Sequence, residues 1–343
     1  MKKIQLLAAI AMGVMTLASC SSDEVISSVD QNKAIGFDAM ANKSSRTEVS
    51  TNNIERFRVF GCTMDAGTTN NHVTIFNGIT VSRPNLTSQE WRYDNVQYWA
   101  PEKDYYFVAI STNVMDPKWT FTAPASHPEG ITTGDSFKGY GTVTMDVSAV
   151  NADNDLVYAY ASRTTDAGIT NTTKVPFSFN HMLSRLGLKF TNAIASTGYT
   201  VVISDVKIDG IAANGSVKLD REPSALAWTM STETASVTAT VPNNNELAQN
   251  GSTTSGYKFI IPGTQTISIE FIATVKLNGT VYSTRTLNGT IAAKEYQPGK
   301  SYMLNASITT ENIAPGGAKP IEFTVTTVAG WGDDNNDNIT LGN

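Results

Sequence analysis

Apolar and polar residues alternate along most of this chain, and the alternation has a period of two. The run Ile267-Ser268-Ile269-Glu270-Phe271 is the clearest example, and Val206-Lys207-Ile208, which follows Ile203, and Phe323-Thr324-Val325 are shorter ones. A period of two places successive side chains on opposite faces of an extended backbone, so these runs predict half-buried strands. Helical periodicity is hard to find beyond the first twenty residues. The pattern therefore predicts an all-β sandwich architecture.

Turn-forming dipeptides separate these runs and support the same prediction. They are Asn77-Gly78, Asp209-Gly210, Asn214-Gly215, Asn278-Gly279, Asn288-Gly289 and Pro298-Gly299. The run HMLSRLGLKF at 181–190 is ambiguous, and we interpret it as a strand because it continues the alternating VPFSF.

The length of 343 residues allows two domains of about 150 residues each. A polar stretch at Arg163–Lys174 lacks the alternation and lies near the middle of the chain. We therefore predict an N-terminal domain at 47–172 and a C-terminal domain at 173–343.

The first residues have the pattern of an export signal. Lys2 and Lys3 precede an apolar run at 6–18, which is too short to cross a bilayer and fits a secretory segment at 1–19. The sequence Leu17-Ala18-Ser19-Cys20 resembles a bacterial lipobox, so we predict that Cys20 is acylated and holds the chain to a membrane.

The second cysteine, Cys62, is then left without a partner for a disulfide. It lies in the apolar run FRVFGCTM, and nothing basic stands beside it to lower its pKa. We predict a buried thiol. Residues 20–46 are predicted to be a polar leader that carries one strand, AIGFDAM at 34–40.

Charge and motifs exclude several classes of function. The net charge of −6 becomes −8 when Lys2 and Lys3 leave with the signal segment, which argues against a nucleic-acid partner. The chain has no G-x-S-x-G, P-loop or dinucleotide-binding glycine pattern. We therefore predict that it is not an enzyme and needs no cofactor, with a secreted carbohydrate-active enzyme as a minor alternative.

No metal site is predicted either. Asp333, Asn335 and Asp337 have the spacing of the first ligands of a calcium loop, but Asn338 stands where that loop needs glycine. The histidines, His72, His127 and His181, are widely separated, and none has a second His or Cys at ligand spacing.

Aromatic residues crowd into WRYDNVQYWAPEKDYYF at 91–107. They could stack on sugars, which would make the chain a glycan-binding surface lipoprotein. We favour the other interpretation, in which alternate members fill a sandwich core.

Several strings in a fixed order carry a family resemblance. They are WRY, YWAP and YYFVAI at 91–110, DLVYA at 155–159, VPFSFNHMLSRL at 175–186, ISDVKIDGI at 203–211, YKFIIP at 257–262, YQPGKSYMLNASI at 296–308 and IEFTV at 321–325 followed by Gly330-Trp331. With the lipobox, this order resembles the fimbrillin-like (Mfa-like) family of lipoprotein pilins.

The resemblance implies two transthyretin-like Greek-key β-sandwich domains in tandem and a structural or adhesive role in a type V pilus. It implies export to the outer membrane surface through the lipid on Cys20, with other pilin subunits and a host or bacterial surface ligand as partners. In such pilins a trypsin-like protease cuts after a basic residue near the N-terminus, a first strand is lost, and a strand of the next subunit fills the groove.

Of the basic residues in this region, Arg46 is the predicted cleavage site. Lys33 precedes the strand at 34–40, so a cut there would not release it, and Arg56 is expected to be held in the sheet. Lys43 and Arg46 remain, and an arginine-preferring enzyme would cut at Arg46 and leave Thr47 as the new N-terminus. Ile339, Thr340 and Leu341 are the predicted donor strand. They are few for that task, which favours a tip or accessory position in the pilus.

Overall fold

The computed structural model describes residues 34–41, 54–68, 71–88, 90–112, 119–122, 138–146, 155–167, 174–220, 226–242, 246–314 and 319–328 of the chain. Within these ranges the first strands are β1 Phe37–Ala41, β2 Arg56–Asp65, β3 Val73–Ser82, β4 Lys103–Thr112, β5 Trp119–Thr122, β6 Lys138–Asp146, β7 Leu156–Thr164, β8 Val175–His181 and β9 Ser184–Asn192. They are followed by β10 Tyr199–Ala212, β11 Asn214–Asp220, β12 Trp228–Met230, β13 Thr234–Ala239, β14 Ser252–Thr254, β15 Lys258–Ile260, β16 Gly263–Leu277, β17 Thr280–Tyr296, β18 Ser301–Ile308, the short helix α1 Thr310–Ile313 and β19 Phe323–Val328.

The described strands form four sheets. The first has the order β1-β8-β7-β4-β2-β3, and the second has the order β12-β11-β6-β5. The third is β13-β10-β16-β17, and the fourth is β14-β9-β18-β19, with β15 also paired to β9. The all-β prediction is therefore confirmed, and so is the strand predicted within 181–190, which is β9. The transthyretin-like topology stays a prediction.

Two apolar cores lie on opposite faces of the first sheet. Phe57 and Val59 on β2 face one of them, and Phe60 and Cys62 face the other. The core of Phe60 and Cys62 also contains buried residues of the second sheet, so it lies between the two sheets: Trp119, Val143, Met145, Val217 and Leu219. The alternation along β2 thus gives both faces of the sheet an apolar surface to bury.

The first sheet curls around the core of Phe57 and Val59. Phe37 on β1 and Phe76 on β3 belong to the two outer strands of the sheet, yet their ring centroids are 5.5 Å apart. The outer strands therefore approach each other, and the side chains of β1 complete the core.

The third and fourth sheets enclose a separate core. It is formed by aliphatic and aromatic residues of β9, β10, β16 and β18, including Phe190 and Phe271, whose rings are 4.8 Å apart. The longest strands, β16 and β17, form a hairpin whose alternation between buried and exposed positions was visible in the sequence.

Two of the six predicted turns are turns in the structure. Asn278 and Gly279 join β16 to β17 with φ of 50° and 84°, the conformation that suits a tight hairpin, and Gly299 lies in the connection from β17 to β18. The other four dipeptides lie within or at the start of strands: Asn77-Gly78 in β3, Asp209-Gly210 in β10, Asn214-Gly215 in β11 and Asn288-Gly289 in β17.

Those four predicted turns were wrong, and three of the glycines have a clear physical reason to lie within a strand. Gly78 and Gly210 have positive φ at points where the strand register shifts, so their conformational freedom serves β-bulges. Gly289 serves close packing, because a Cβ there would lie 2.2 Å from the carbonyl oxygen of Ile321.

The sheets pair strands across the predicted domain boundary at 172/173. β8 follows that boundary in sequence and pairs with β1 and β7, while β11 pairs with β6. The limits of the two domains stay a prediction.

Candidate functional site

The first strand of the chain lies in a groove that other parts of the N-terminal half provide. β1 pairs in parallel with β8, in a register that sets Phe37 opposite Val175 and Ala41 opposite Phe179. The Val175 amide donates to the Gly36 carbonyl at 2.8 Å. β1 is thus the outer strand of the first sheet, and one edge of its backbone is paired with β8.

The other side of this strand is held by residues 91–99, which we call the strap. The Ile35 amide donates to the Gln97 carbonyl at 2.8 Å, and Ala34 forms an antiparallel bridge with Tyr98. The Tyr93 hydroxyl donates to the Ile35 carbonyl at 2.7 Å and accepts from the Gln97 amide at 3.2 Å. The strap therefore satisfies both backbone groups of Ile35.

The Tyr93 hydroxyl is suited to this position. Burial raises the pKa of Tyr93 above its ordinary value, with a smaller contribution from Tyr98 and an opposing one from the Gln97 amide. The phenol therefore stays protonated at neutral pH and keeps the proton that it donates to Ile35.

Phe37 fills an aromatic pocket at the centre of the groove and is only 1% exposed. Its ring stacks on Phe177 at 5.5 Å, with an angle of 15° between the planes. Four more rings surround it, with centroids 5.5 to 6.4 Å away: Phe57, Phe76, Tyr93 and Phe107. Ile35 is buried beside this cluster, and Ala39 packs against it from a half-buried position.

The outward face of β1 is polar and lies beside a cation. The Lys174 ammonium is 3.6 Å from a carboxylate oxygen of Asp38, and both side chains are about half exposed. At Gly36, a Cβ would approach Lys174 Cγ to 3.2 Å, which a flexible exposed side chain can accommodate.

We define the β1 groove as the edge of β8 at 175–179, the strap and the aromatic pocket of Phe37. An empty groove would expose unpaired backbone groups on β8 and the strap together with an apolar pocket. An extended peptide with alternating apolar side chains would satisfy both. The chemistry available at this site is therefore strand binding.

The chain between β1 and β2 contains the predicted cleavage site. β1 ends at Ala41 and β2 begins at Arg56, so a cut after Arg46 would leave β1 held in the groove by noncovalent contacts alone. Arg56 is paired with Ser82 in the sheet, as expected for a residue that a protease cannot reach.

Most of the aromatic cluster at 91–107 is in the core, so the core interpretation is confirmed. Trp99, Tyr105 and Phe107 are buried, and Trp91 is half-buried, with Arg83 stacked 5.1 Å above its ring. Tyr98 is 42% exposed, and no row of exposed parallel rings is formed by the described members of the cluster. The burial predicted for Cys62 is also confirmed.

Several predicted residues lie outside the described ranges, and their predictions remain predictions. They are Cys20, Arg46, Thr47, His127, Asp333, Asn335, Asp337, Asn338, Ile339, Thr340 and Leu341.

Among the described residues, no group of three or more His, Cys, Asp or Glu side chains could hold a metal ion. His181 Nδ1 lies 2.9 Å from a carboxylate oxygen of Asp155, which joins the end of β8 to the start of β7. In the described part of the chain, no helix is long and apolar enough to cross a membrane.

Sequence reasoning missed the strap. Tyr93 and Gln97 stand in a stretch whose aromatic residues suggested either a core or a sugar platform, and nothing local marks them as partners of Ile35. Only the pairing of two segments far apart in the chain creates this contact, so no local signal could have identified it.

Comparison with known proteins gives a family and a fold. The family profile described as fimbrillin-like matches residues 45–331. No curated protein sequence matches the chain. The structure of a fimbrial protein from Bacteroides vulgatus is similar, with a TM-score of 0.57 and 14% identity, over 87% of this chain and 99% of that one. A candidate cell adhesion protein from Bacteroides ovatus is similar with a TM-score of 0.50 and 15% identity, over 87% of this chain and 98% of that one.

Proposed function

Because the chain belongs to the fimbrillin-like family, we propose that it is a structural or adhesive subunit of a cell-surface fimbria. The family is one of fimbrial proteins, and the chain is accordingly not an enzyme. The chain is exported as a lipoprotein through Cys20, reaches the outer membrane surface, is cut after Arg46, and joins other pilin subunits by strand exchange.

The β1 groove is the observation that supports this assembly route. β1 is a short strand at one edge of its sheet, and the connection that follows it contains Arg46. One cut in that connection separates the lipid on Cys20 and β1 from the rest of the chain. The same event therefore frees the subunit from the membrane and makes its groove available.

The contacts of β1 explain why an empty groove would take up a new strand. Burying an isoleucine and a phenylalanine side chain contributes about 1.5–3 kcal/mol each. Unpaired backbone groups at the groove add a further penalty that only another extended backbone can remove. A groove vacated by β1 is therefore a strong acceptor for a strand of another subunit.

The test compares Arg46→Ala with the matched control Lys43→Ala in cells that make the full chain. Mass spectrometry of sheared surface protein should find Thr47 at the N-terminus of the wild type and the control. Arg46→Ala should remain full length, bound to membranes and monomeric.

A surface protein that still begins at lipidated Cys20 in the wild type would contradict this maturation. The chain would then be better explained as an anchored lipoprotein. The glycan-binding alternative has little support, because six of the seven aromatic residues on which it rests are buried or half-buried and only Tyr98 is exposed.

A further inference from the structure

The apolar pattern that fills the β1 groove recurs elsewhere in the chain. Residues 35–39, which lead into β1 and include its first half, present an aliphatic residue, a phenylalanine and a second aliphatic residue at alternate positions, namely Ile35, Phe37 and Ala39. Across the full sequence, this pattern of aliphatic, Phe and aliphatic residues at alternate positions occurs in three places: 35–39, 269–273 and 321–325.

The two other copies of the pattern differ in whether they could leave their sheet. Residues 269–273 lie in β16, which is paired with β10 on one side and β17 on the other, and Phe271 is fully buried. Residues 321–325 lead into β19, which is the outer strand of the fourth sheet and is paired with β18. Of these two copies, the one at 321–325 lies at the edge of its sheet as far as the described strands extend.

We propose that Ile321–Val325 of a second copy of this chain occupies the β1 groove once the first strand has been removed. The inference rests on the proposed function, because it needs the groove to be vacated. It makes the chain a subunit that assembles with itself. It also assigns the donor to β19 rather than to Ile339-Thr340-Leu341, which has no aromatic residue for the Phe37 pocket.

Burial favours the transfer of this strand. In its own sheet Phe323 is only partly buried, whereas Phe37 is enclosed by five aromatic rings. The groove also holds backbone on two sides, through β8 and the strap. Among the described strands β19 is paired with β18 alone, and the Ile321 amide before it makes a single bond to β17. Phe323 therefore gains burial by moving to an open groove, while Ile321 stays buried and Val325 stays half-buried.

Charge favours the same register. With Phe323 at the position of Phe37, Glu322 takes the position of Gly36, beside Lys174. Its carboxylate replaces that of Asp38 as the partner of the Lys174 ammonium, and Thr324 takes the place of Asp38. Val325 takes the half-buried position of Ala39, where the larger side chain has access to solvent.

The contacts that residues 321–328 make in the fourth sheet explain why the uncut chain is not expected to assemble. Leaving the fourth sheet breaks the pairing of Phe323–Val328 with β18 and the bond from the Ile321 amide to the Asn288 carbonyl, which is 2.9 Å long. These losses are offset only where an open groove offers equivalent partners. In a chain whose groove still holds β1, β19 therefore stays paired with β18.

A disulfide trap tests the register. In the proposed complex Thr326 takes the position of Met40, which lies opposite Ser178 in the β1–β8 pairing. Full-length chains carrying Cys20→Ala and either Ser178→Cys or Thr326→Cys are cut with an arginine-specific protease, and the released fragment is stripped in dilute urea. The two chains are then mixed, returned to buffer and oxidised.

A disulfide-linked dimer of the two different chains is expected in the cut sample and not in the uncut one. The matched control replaces Thr326→Cys by Thr324→Cys, two residues out of register and on the same face, and should give at least fivefold less dimer. A second variant, Phe323→Asp, should abolish the multimers that cut protein forms, while Ile339→Asp should leave them.

The remaining outcomes overturn the inference in distinguishable ways. Multimers without the 178–326 disulfide, or multimers lost in Ile339→Asp and kept in Phe323→Asp, would overturn the assignment of β19 and leave the proposed function standing. Stripped protein that stays monomeric would overturn both.

Discussion

The Cys62 side chain faces the core between the first and second sheets, where it is 1% exposed and lies among Phe60, Met64 and Val108. A serine at this position would place a hydroxyl in an apolar environment. We expect Cys62→Ser to lower the free energy of unfolding by about 1–2 kcal/mol without affecting assembly. Urea unfolding measures the change. Cys62→Ala is the control for lost volume, and it should destabilise the protein less than serine does. An unchanged transition in Cys62→Ser would mean that the thiol is not enclosed as described.

At the scale of single residues, the sequence predicts burial better than it predicts partners. Phe37 alternates with polar neighbours, which is enough to place its ring on the inner face of a strand. The rings that surround it come from β2, β3, β4, β8 and the strap, and they meet only because the first sheet curls. A periodic pattern specifies a face and contains no information on what that face meets.

Among the elements, the strap controls how firmly β1 is held. The Tyr93 hydroxyl bonds to the Ile35 carbonyl and accepts from the Gln97 amide. Tyr93→Phe keeps the ring and leaves both backbone groups without that partner, at a cost of about 1–3 kcal/mol. We therefore expect the β1 amides of the uncut chain to exchange hydrogen about tenfold faster or more, since each 1.4 kcal/mol is a factor of ten.

Hydrogen-exchange mass spectrometry of peptides that cover 34–41 measures this effect. The matched control is Tyr98→Phe, which removes a hydroxyl from an exposed ring in the same strap and should leave β1 exchange unchanged. Equal protection of β1 in the wild type and in Tyr93→Phe would show that the strap does not hold the strand.

Glycine dipeptides show the limit of local signals at the scale of elements. Asn278-Gly279 and Asn288-Gly289 are the same dipeptide ten positions apart, yet the first is a hairpin turn and the second lies inside β17. The difference is tertiary, because Gly289 has no side chain where the Ile321 carbonyl approaches. Whether Asn-Gly forms a turn here depends on the approach of a segment distant in sequence, and the local sequence does not specify that approach.

For the whole molecule, the alternation was enough to predict an all-β chain and was not enough to predict how its sheets are divided. β6 pairs with β11 and β8 pairs with β7, so both pairs join strands on opposite sides of a polar stretch or loop. Polar composition marks where a chain is exposed, whereas sheet membership depends on long-range pairing. For the same reason a strand was predicted at 34–40, whereas the parallel pairing of β1 with β8 was not.

The proposed membrane attachment of the whole molecule depends on Cys20, and it is best tested where maturation cannot remove the lipid. Arg46→Ala should keep the lipidated leader on the chain, so a labelled fatty acid should appear on the full-length protein in the membrane fraction. Adding Cys20→Ala should remove the label and release the protein, because each buried methylene of an acyl chain contributes about 0.8 kcal/mol to anchoring.

Adding Cys62→Ala instead is the matched control, and it should change neither the label nor the location, since that thiol is buried in the core. Label that persists without Cys20 would show that another group is acylated. The separation of anchor from subunit at Arg46 would then lose its chemical basis.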